Sequence, residues 1–447
     1  MAGFPPNFVW GVAASAFQIE GATTEGGRLP SVWDTFGRRP GAIADGGTGD
    51  VACDHVHRWR EDVALIADLG VDAYRLSVSW PRVIGAAGVP NPAGLDFYDR
   101  LLDELGERGI TPVVNLFHWD LPQWLQDEGG WLRRDTAHRF ADYAAVVAAR
   151  LGDRVGTWAA INEMFEHFVL GHVVGEHAPG LRLPLAESGA VAHHLLLAHG
   201  SAVAALRAAG PAPIMAINSY APARPLSDAA ADVAAAAFYD TVQNRLFTDP
   251  LLLGRYPDEA LPLVQPVIRD GDMAVIANPV DLWGVNYYTV NGVRAVAGDI
   301  PLEVAPPAGY PVTAFDWAIV PEGLTEVLLT LRDRYGDRLP PLVVSENGCA
   351  VDDVVDAGGQ CADPDRVAFL AAHLDAVRAA LDAGVDVRGF YVWSLLDNFE
   401  WAAGYTKRFG LVHVDYDTQR RTPKSSFGWL REQIRLNRTA PAGGPAR

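Results

Sequence analysis

Short apolar runs alternate with amphipathic stretches almost from one end of the chain to the other. Apolar runs at 8–13, 73–77, 111–116, 157–161, 214–218, 281–286, 342–345 and 387–392 predict strands. Between them, apolar positions recur at helical spacing. Leu95, Tyr98, Leu102 and Leu105 form one such stripe, with Asp99, Asp103 and Glu104 turned away from it. Glu104 and Arg108 add an i,i+4 ion pair, and Gly109 is placed to stop the helix. Segments 135–151, 185–209, 229–247, 321–334, 363–383 and 422–437 also read as helices. Eight strand–helix alternations imply a parallel sheet, and eight is the number that closes into a (β/α)8 TIM barrel. The α/β reading is therefore a single barrel over residues 1–438 with extended loops at its C-terminal face. No linker divides the chain. Segments 41–49, 295–311 and 351–363 read as long loops, and 439–447 as a disordered tail.

Composition narrows the function. Of 447 residues, 36 are Lys or Arg and 55 are Asp or Glu, a formal charge of −19. That balance argues against nucleic acid as a partner and favours a neutral small molecule over a phosphorylated one. Cys53, Cys349 and Cys361 are an odd set without a CxxC, so neither a disulfide framework nor a structural zinc site is expected. The first residues show no basic n-region followed by an apolar core. No run of about 18 apolar residues suggests a membrane span. A soluble, cytoplasmic protein without membrane partners is the expectation; homo-oligomerisation is left open.

In a barrel of this kind, chemistry gathers at the C-terminal ends of the strands. Reading those ends in order gives Gln18, Arg75, His118 and Trp119, Asn162 and Glu163, Asn218, Tyr288, Glu346 and Asn347, then Trp393. Polar or aromatic groups at nearly every end converge on one pocket. The run WSLLDNFEW at 393–401 sharpens this. Indole faces stack on the C–H faces of sugar rings, and a carboxylate such as Glu400 accepts hydrogen bonds from vicinal hydroxyls. Glu163 and Glu346 fall on the fourth and seventh strands and can face each other across the mouth. Paired carboxyls about 5–5.5 Å apart fit a retaining glycosidase, and a wider gap fits an inverting one. Arg75 and Tyr288 would hold one of the pair ionised and leave the other protonated. The H-x-H at 55–57 reads as solvated or capping rather than metal-binding, and His193-His194 reads as helix packing.

Beyond these residues, whole segments are recognisable: FPPNFVWGVAASAFQIEGA, SVWDTF, ACDHVHRWREDVALIADLGVDAYRLSVSWPRV, GLDFYDRLLDELGERGITPVVNLFHWDLP, DRVGTWAAINE, GVNYYT, VVSENG and FYVWSLLDNFEWAAGYTKRFGLVHVDY. Over residues 4–435 the chain resembles glycoside hydrolase family 1, the β-glucosidase-type retaining enzymes. The resemblance implies a (β/α)8 barrel with no metal and no organic cofactor. It implies Glu163 as acid/base, Glu346 as nucleophile and Asn162 on the 2-hydroxyl, with Arg75 and Tyr288 orienting Glu346. Gln18, His118, Trp119, Trp393, Glu400, Trp401 and Phe409 would line the non-reducing sugar, with Gln18 and Glu400 on its 3-, 4- and 6-hydroxyls. Trp317 would face the leaving group.

The chain departs from that pattern where Ala160-Ile161-Asn162-Glu163-Met164 replaces the usual Thr-x-Asn-Glu-Pro. Losing the proline is expected to loosen the loop after Glu163. Glu166 is expected to raise the acid's pKa. Ser345 in place of threonine is a mild change. Phospho-glycosidases of the family replace the Glu400-Trp401 platform, which here is retained; myrosinase-type members lack the acid glutamate, which here is present. The implied activity is hydrolysis of terminal non-reducing β-D-glucosyl residues by double displacement, with side activity on β-galactosides and β-fucosides, and cellulose degradation as its setting. The alternatives are a sugar-binding protein that has lost catalysis, a transglycosidase, and a metal-dependent hydrolase on the same barrel.

Overall fold

A computed structural model describes residues 3–439. Eight parallel strands close into a barrel: β1 (Val9–Ala13), β2 (Ala73–Ser77), β3 (Thr111–Phe117), β4 (Thr157–Asn162), β5 (Ile214–Ser219), β6 (Leu282–Asn286), β7 (Leu342–Asn347) and β8 (Val387–Trp393), with β8 paired to β1. A helix of the outer layer follows each strand: α1 (His55–Leu69), α2 (Pro92–Glu107), α3 (Asp135–Leu151), α4 (Leu185–Ala209), α5 (Ala230–Asp240), α6 (Pro321–Tyr335), α7 (Pro364–Asp382) and α8 (Ser425–Thr439). Strands sandwiched between a filled barrel and a helical layer are buried on both faces, which is why they read as unbroken apolar runs.

The barrel interior is filled by Ala73, Val113, Ala159, Met215, Ile217, Val343 and Tyr391. Side chains alternate along a strand, so positions two further on share the inward face. Counting from this plug toward the C-terminal mouth leads from Ala73 to Arg75, from Val343 to Ser345 and from Tyr391 to Trp393. The pairing register slips at β4–β5, β6–β7 and β7–β8, between Ala159 and Asn162 on β4 and around Val344–Asn347 on β7. Such bulges re-aim side chains. Here they turn Asn162 and Glu346 toward the mouth.

The α2 stripe is buried as its spacing predicts, Glu104 and Arg108 pair at 2.7 Å, and Gly109 takes a φ of 71°. Three expectations need correction. Segment 295–311 is more than a loop, because Leu302–Ala305 pairs antiparallel with Asn291–Ala295 in a small sheet beside the mouth. The helix expected over 229–247 is α up to Asp240 and continues as a π turn over Thr241–Arg245. Helix α4 is long and apolar enough to cross a membrane by length and composition, yet most of it is buried against α3 and the segment around 261–276. A helix covered on several sides is apolar on several sides. Helix α8 extends through Thr439, and the rest of the expected tail, 440–447, lies outside the described residues.

Candidate active site

The mouth opens into one cavity of about 850 Å³ whose wall includes Glu163, Glu346, Tyr288, Trp393 and Glu400. Glu346, the last residue but one of its bulged strand, has both oxygens engaged. One accepts from Arg75 Nη1, and Tyr288 Oη donates to the other at 2.6 Å. Gly348 follows because a Cβ there would stand 1.9 Å from the Trp393 carbonyl oxygen, so the glycine of the ENG triplet serves close approach of two strand ends. Arg75 Nη2 donates to Asn162 Oδ1 at 2.6 Å, tying the floor of the pocket to the neighbouring carboxyl.

Glu163 follows directly after β4 with a left-handed φ of 49°, a conformation that non-glycine residues keep mostly where surrounding structure enforces it. Asn286 Nδ2 donates to Glu163 Oε1 at 2.9 Å and Asn162 Nδ2 to Oε2 at 3.2 Å. Burial pushes the Glu163 carboxyl well above its ordinary range, and the negative charges of Glu346 and then Glu166 push it further; Asn286 and Arg75 oppose the shift. The expectation for Glu166 therefore holds in direction, with Glu166 contributing less than burial and Glu346. Glu166 itself is raised by burial, against a 3.0 Å hydrogen bond from Ser219.

The wall around Trp393 is aromatic. His118 stacks near Trp393 (5.6 Å between centroids) and Trp401 (5.9 Å), and Trp119 lies 4.9 Å from Trp401. Trp119 Nε1 donates to the Asn162 carbonyl at 2.9 Å. Burial, assisted by Arg75, holds the His118 imidazole neutral by pushing its pKa well down. Gln18 lies on a helical turn (Ala16–Ile19) after β1, where it donates to Asn398 Oδ1 at 2.9 Å and Glu400 Oε2 at 3.3 Å. Burial and the charge of Glu346 raise Glu400 to about 8. Phe409 packs with Trp393, and Trp317 lies 5.4 Å from Tyr288 and 4.6 Å from Phe315.

Several sequence expectations are redirected. Asn218 turns to the helical layer, bonding the Phe247 carbonyl, and its neighbour Ser219 lines the cavity instead. Met164 opens a helical turn (Met164–Phe168) with its side chain fully buried. His55 is buried and bonded to Asp62, itself paired with Arg421, while exposed His57 bonds Asp54, the residue before α1. His193 is packed as expected but also bridges Tyr256 and Asp272. Among the described residues, no group of three or more His, Cys, Asp or Glu is arranged to hold a metal. Asn286 is the residue missed. It binds both Glu163 and Asn162 and accepts from Ser345 Oγ at 2.6 Å. Its signal was positional, two steps along the inward face from Gly284, where a Cβ would collide with Ser345 Oγ at 2.7 Å.

A closed (β/α)8 barrel with two buried carboxyls in unlike settings, set beside an indole-walled pocket, defines a glycoside hydrolase. The chain belongs to glycosyl hydrolase family 1, whose model matches residues 1–439. It is 46% identical to a bifunctional beta-D-glucosidase/beta-D-fucosidase of Bifidobacterium breve, over 96% of this chain and 98% of that protein. It is likewise 46% identical to thermostable beta-glucosidase B of Thermobispora bispora, over 97% and 91% of the two chains. The crystal structure of the psychrophilic beta-glucosidase of Micrococcus antarcticus superposes with a TM-score of 0.95 at 43% identity, covering 98% of each chain.

Proposed function

We propose that the chain is an exo-acting, retaining β-glucosidase that also accepts β-fucosides and β-galactosides, with Glu346 as nucleophile and Glu163 as acid/base. The observation that carries this assignment is the unlike setting of the two carboxyls. Glu346 takes a guanidinium and a phenol, which complement a carboxylate. Glu163 is kept protonated by burial and by the neighbouring charge.

In the first step a Glu346 oxygen attacks the anomeric carbon as Glu163 delivers its proton to the departing glycosidic oxygen. The glycosyl ester that forms carries no charge on Glu346. One of the two carboxylate charges that raise Glu163 is then gone, so Glu163 holds a proton less tightly and takes one from water. Water attacks the anomeric carbon from the vacated face, and net retention follows. Asn162, held between Arg75 and Glu163, takes the 2-hydroxyl, and Gln18 and Glu400 take the far hydroxyls.

Tolerance among glucose, galactose and fucose is expected, because one epimeric or missing hydroxyl alters few hydrogen bonds. A 6-phosphate would meet the Glu400 carboxyl, while the Lys407 ammonium is taken by the Ala314 carbonyl. Three buried, unpaired cysteines accord with a reducing cytoplasm. A role in cellulose degradation requires a second glucosyl unit on the leaving-group side. The test is kcat/KM on p-nitrophenyl β-glucoside, β-galactoside, β-fucoside and β-glucoside-6-phosphate, with cellobiose alongside and with EDTA controls. Turnover of the unphosphorylated sugars, unaffected by EDTA, supports the assignment. Absence of turnover on all of them overturns it.

A further inference from the structure

Beyond the two carboxyls the cavity changes character. One side is formed by Val169, Leu170 and Val173 on a π turn (Val169–Val174). Phe238 and Val242 also line it, and the small sheet adds Leu302 and Val304. Phe315, stacked on Trp317, carries this apolar lining back toward Tyr288 and Glu346. Most of these side chains are only partly buried, and Ile300 and Val304 are 39% and 42% exposed at the rim. So much uncovered aliphatic surface inside a cavity marks a ligand site.

Five of the polar side chains that line the cavity are engaged with one another. Asn291 Nδ2 donates to Tyr239 Oη (2.8 Å), Tyr239 Oη to Gln243 Oε1 (3.0 Å), Gln243 Nε2 to Ser219 Oγ (3.0 Å), and Ser219 Oγ to Glu166 Oε1 (3.0 Å). A second hexose needs several hydrogen-bond partners for its hydroxyls. This wall offers it aliphatic carbon and a polar chain that is already internally paired, and burying hydroxyls without partners is costly.

Resting on the β-glucosidase assignment, we infer that the leaving-group half of the cavity selects glycosides of extended aliphatic alcohols over a second sugar. An alkyl chain leaving the anomeric oxygen would pass Trp317 and Phe315 and lie between the π turn and the Leu302–Val304 edge.

The test is kcat/KM for methyl, butyl, hexyl and octyl β-D-glucosides and for cellobiose, with alkyl glucosides below their micelle concentrations and p-nitrophenyl β-glucoside as reference. Burial of a methylene corresponds to about fourfold. We expect a rise of about two- to fourfold per added methylene up to the length the cavity encloses, and octyl glucoside well ahead of cellobiose. Leu302→Asn and, separately, Val242→Ser should cut the octyl-to-methyl ratio at least several-fold; the ratio also corrects for any loss of folded enzyme. A flat alkyl series with cellobiose equal to or ahead of octyl glucoside overturns the inference while leaving the assignment standing. Failure on the p-nitrophenyl reference overturns the assignment itself.

Discussion

The two halves of the cavity solve opposite problems with the same materials. On the sugar side, His118 and Glu400 line the pocket with Trp393 and Trp401, and the fully buried Gln18 holds Asn398 and Glu400. On the leaving-group side, polar residues are as close at hand, but Glu166, Ser219, Gln243 and Tyr239 bond to each other and leave aliphatic carbon facing the ligand. The difference teaches that specificity depends on where polar groups spend their hydrogen bonds, more than on how many line a pocket. On the proposed mechanism Glu163 and Glu346 stand at the junction between these halves.

The largest effect falls at that junction. Glu346→Ala should lower kcat by on the order of 10⁴-fold or more, whatever occupies either half, with the far-UV circular dichroism unchanged. Near-normal turnover by that variant would remove the boundary altogether. Next comes Glu163→Gln. Leaving groups of high pKa should lose roughly 10²- to 10⁴-fold, and activated dinitrophenyl glycosides much less in the first step. Because the Glu163 carboxyl is raised when the site is free, the wild-type alkaline limb of kcat/KM marks loss of its proton and lies above the ordinary carboxylate range. That limb should disappear in the variant, and an unchanged limb would point to another acid.

Glu400→Gln probes the sugar half alone. Losing a hydrogen-bonding carboxyl should cost roughly 10- to 100-fold in kcat/KM. The factor should be the same for methyl and octyl glucosides, and a factor that changes with aglycone length would break the division between halves. The smallest effect is expected for Glu166→Gln. Removing a negative charge near Glu163 should move the alkaline limb toward lower pH without abolishing turnover, as a pH–rate profile would read directly. A limb that stays in place would mean that Glu166 serves only its hydrogen bond to Ser219.

Much of this was legible in the sequence, for reasons that separate the two halves again. All eight strands follow from apolar runs, yet most extend one or two residues past the run at their C-terminal ends, as at Phe117, Asn162, Ser219, Asn347 and Trp393. Most of those last residues are polar because they serve the mouth, so the pattern that reveals a strand stops where the chemistry starts. Asn286 lies inside its expected run, at the end of β6 and two residues before the more conspicuous Tyr288, so it read as strand rather than as site. The bulges that aim Asn162 and Glu346 leave no mark in hydrophobic periodicity. The sugar half was readable because its residues sit in a few compact motifs, 118–119, 162–163 and 393–401. The leaving-group half comes from pieces of the π turn, α5 and its extension, and the Leu302–Ala305 strand; none is distinctive alone and only the fold brings them together.

The division of labour between Glu346 and Glu163 is the claim on which the rest depends, and covalent trapping tests it most directly. A 2-deoxy-2-fluoro-β-D-glucoside with a dinitrophenyl leaving group should slow breakdown of the glycosyl ester enough for it to accumulate. Peptide mass spectrometry should then find one fluoroglucosyl group per chain, on Glu346. A label on Glu163, or turnover that releases the inverted anomer first with no label on the protein, would contradict the account.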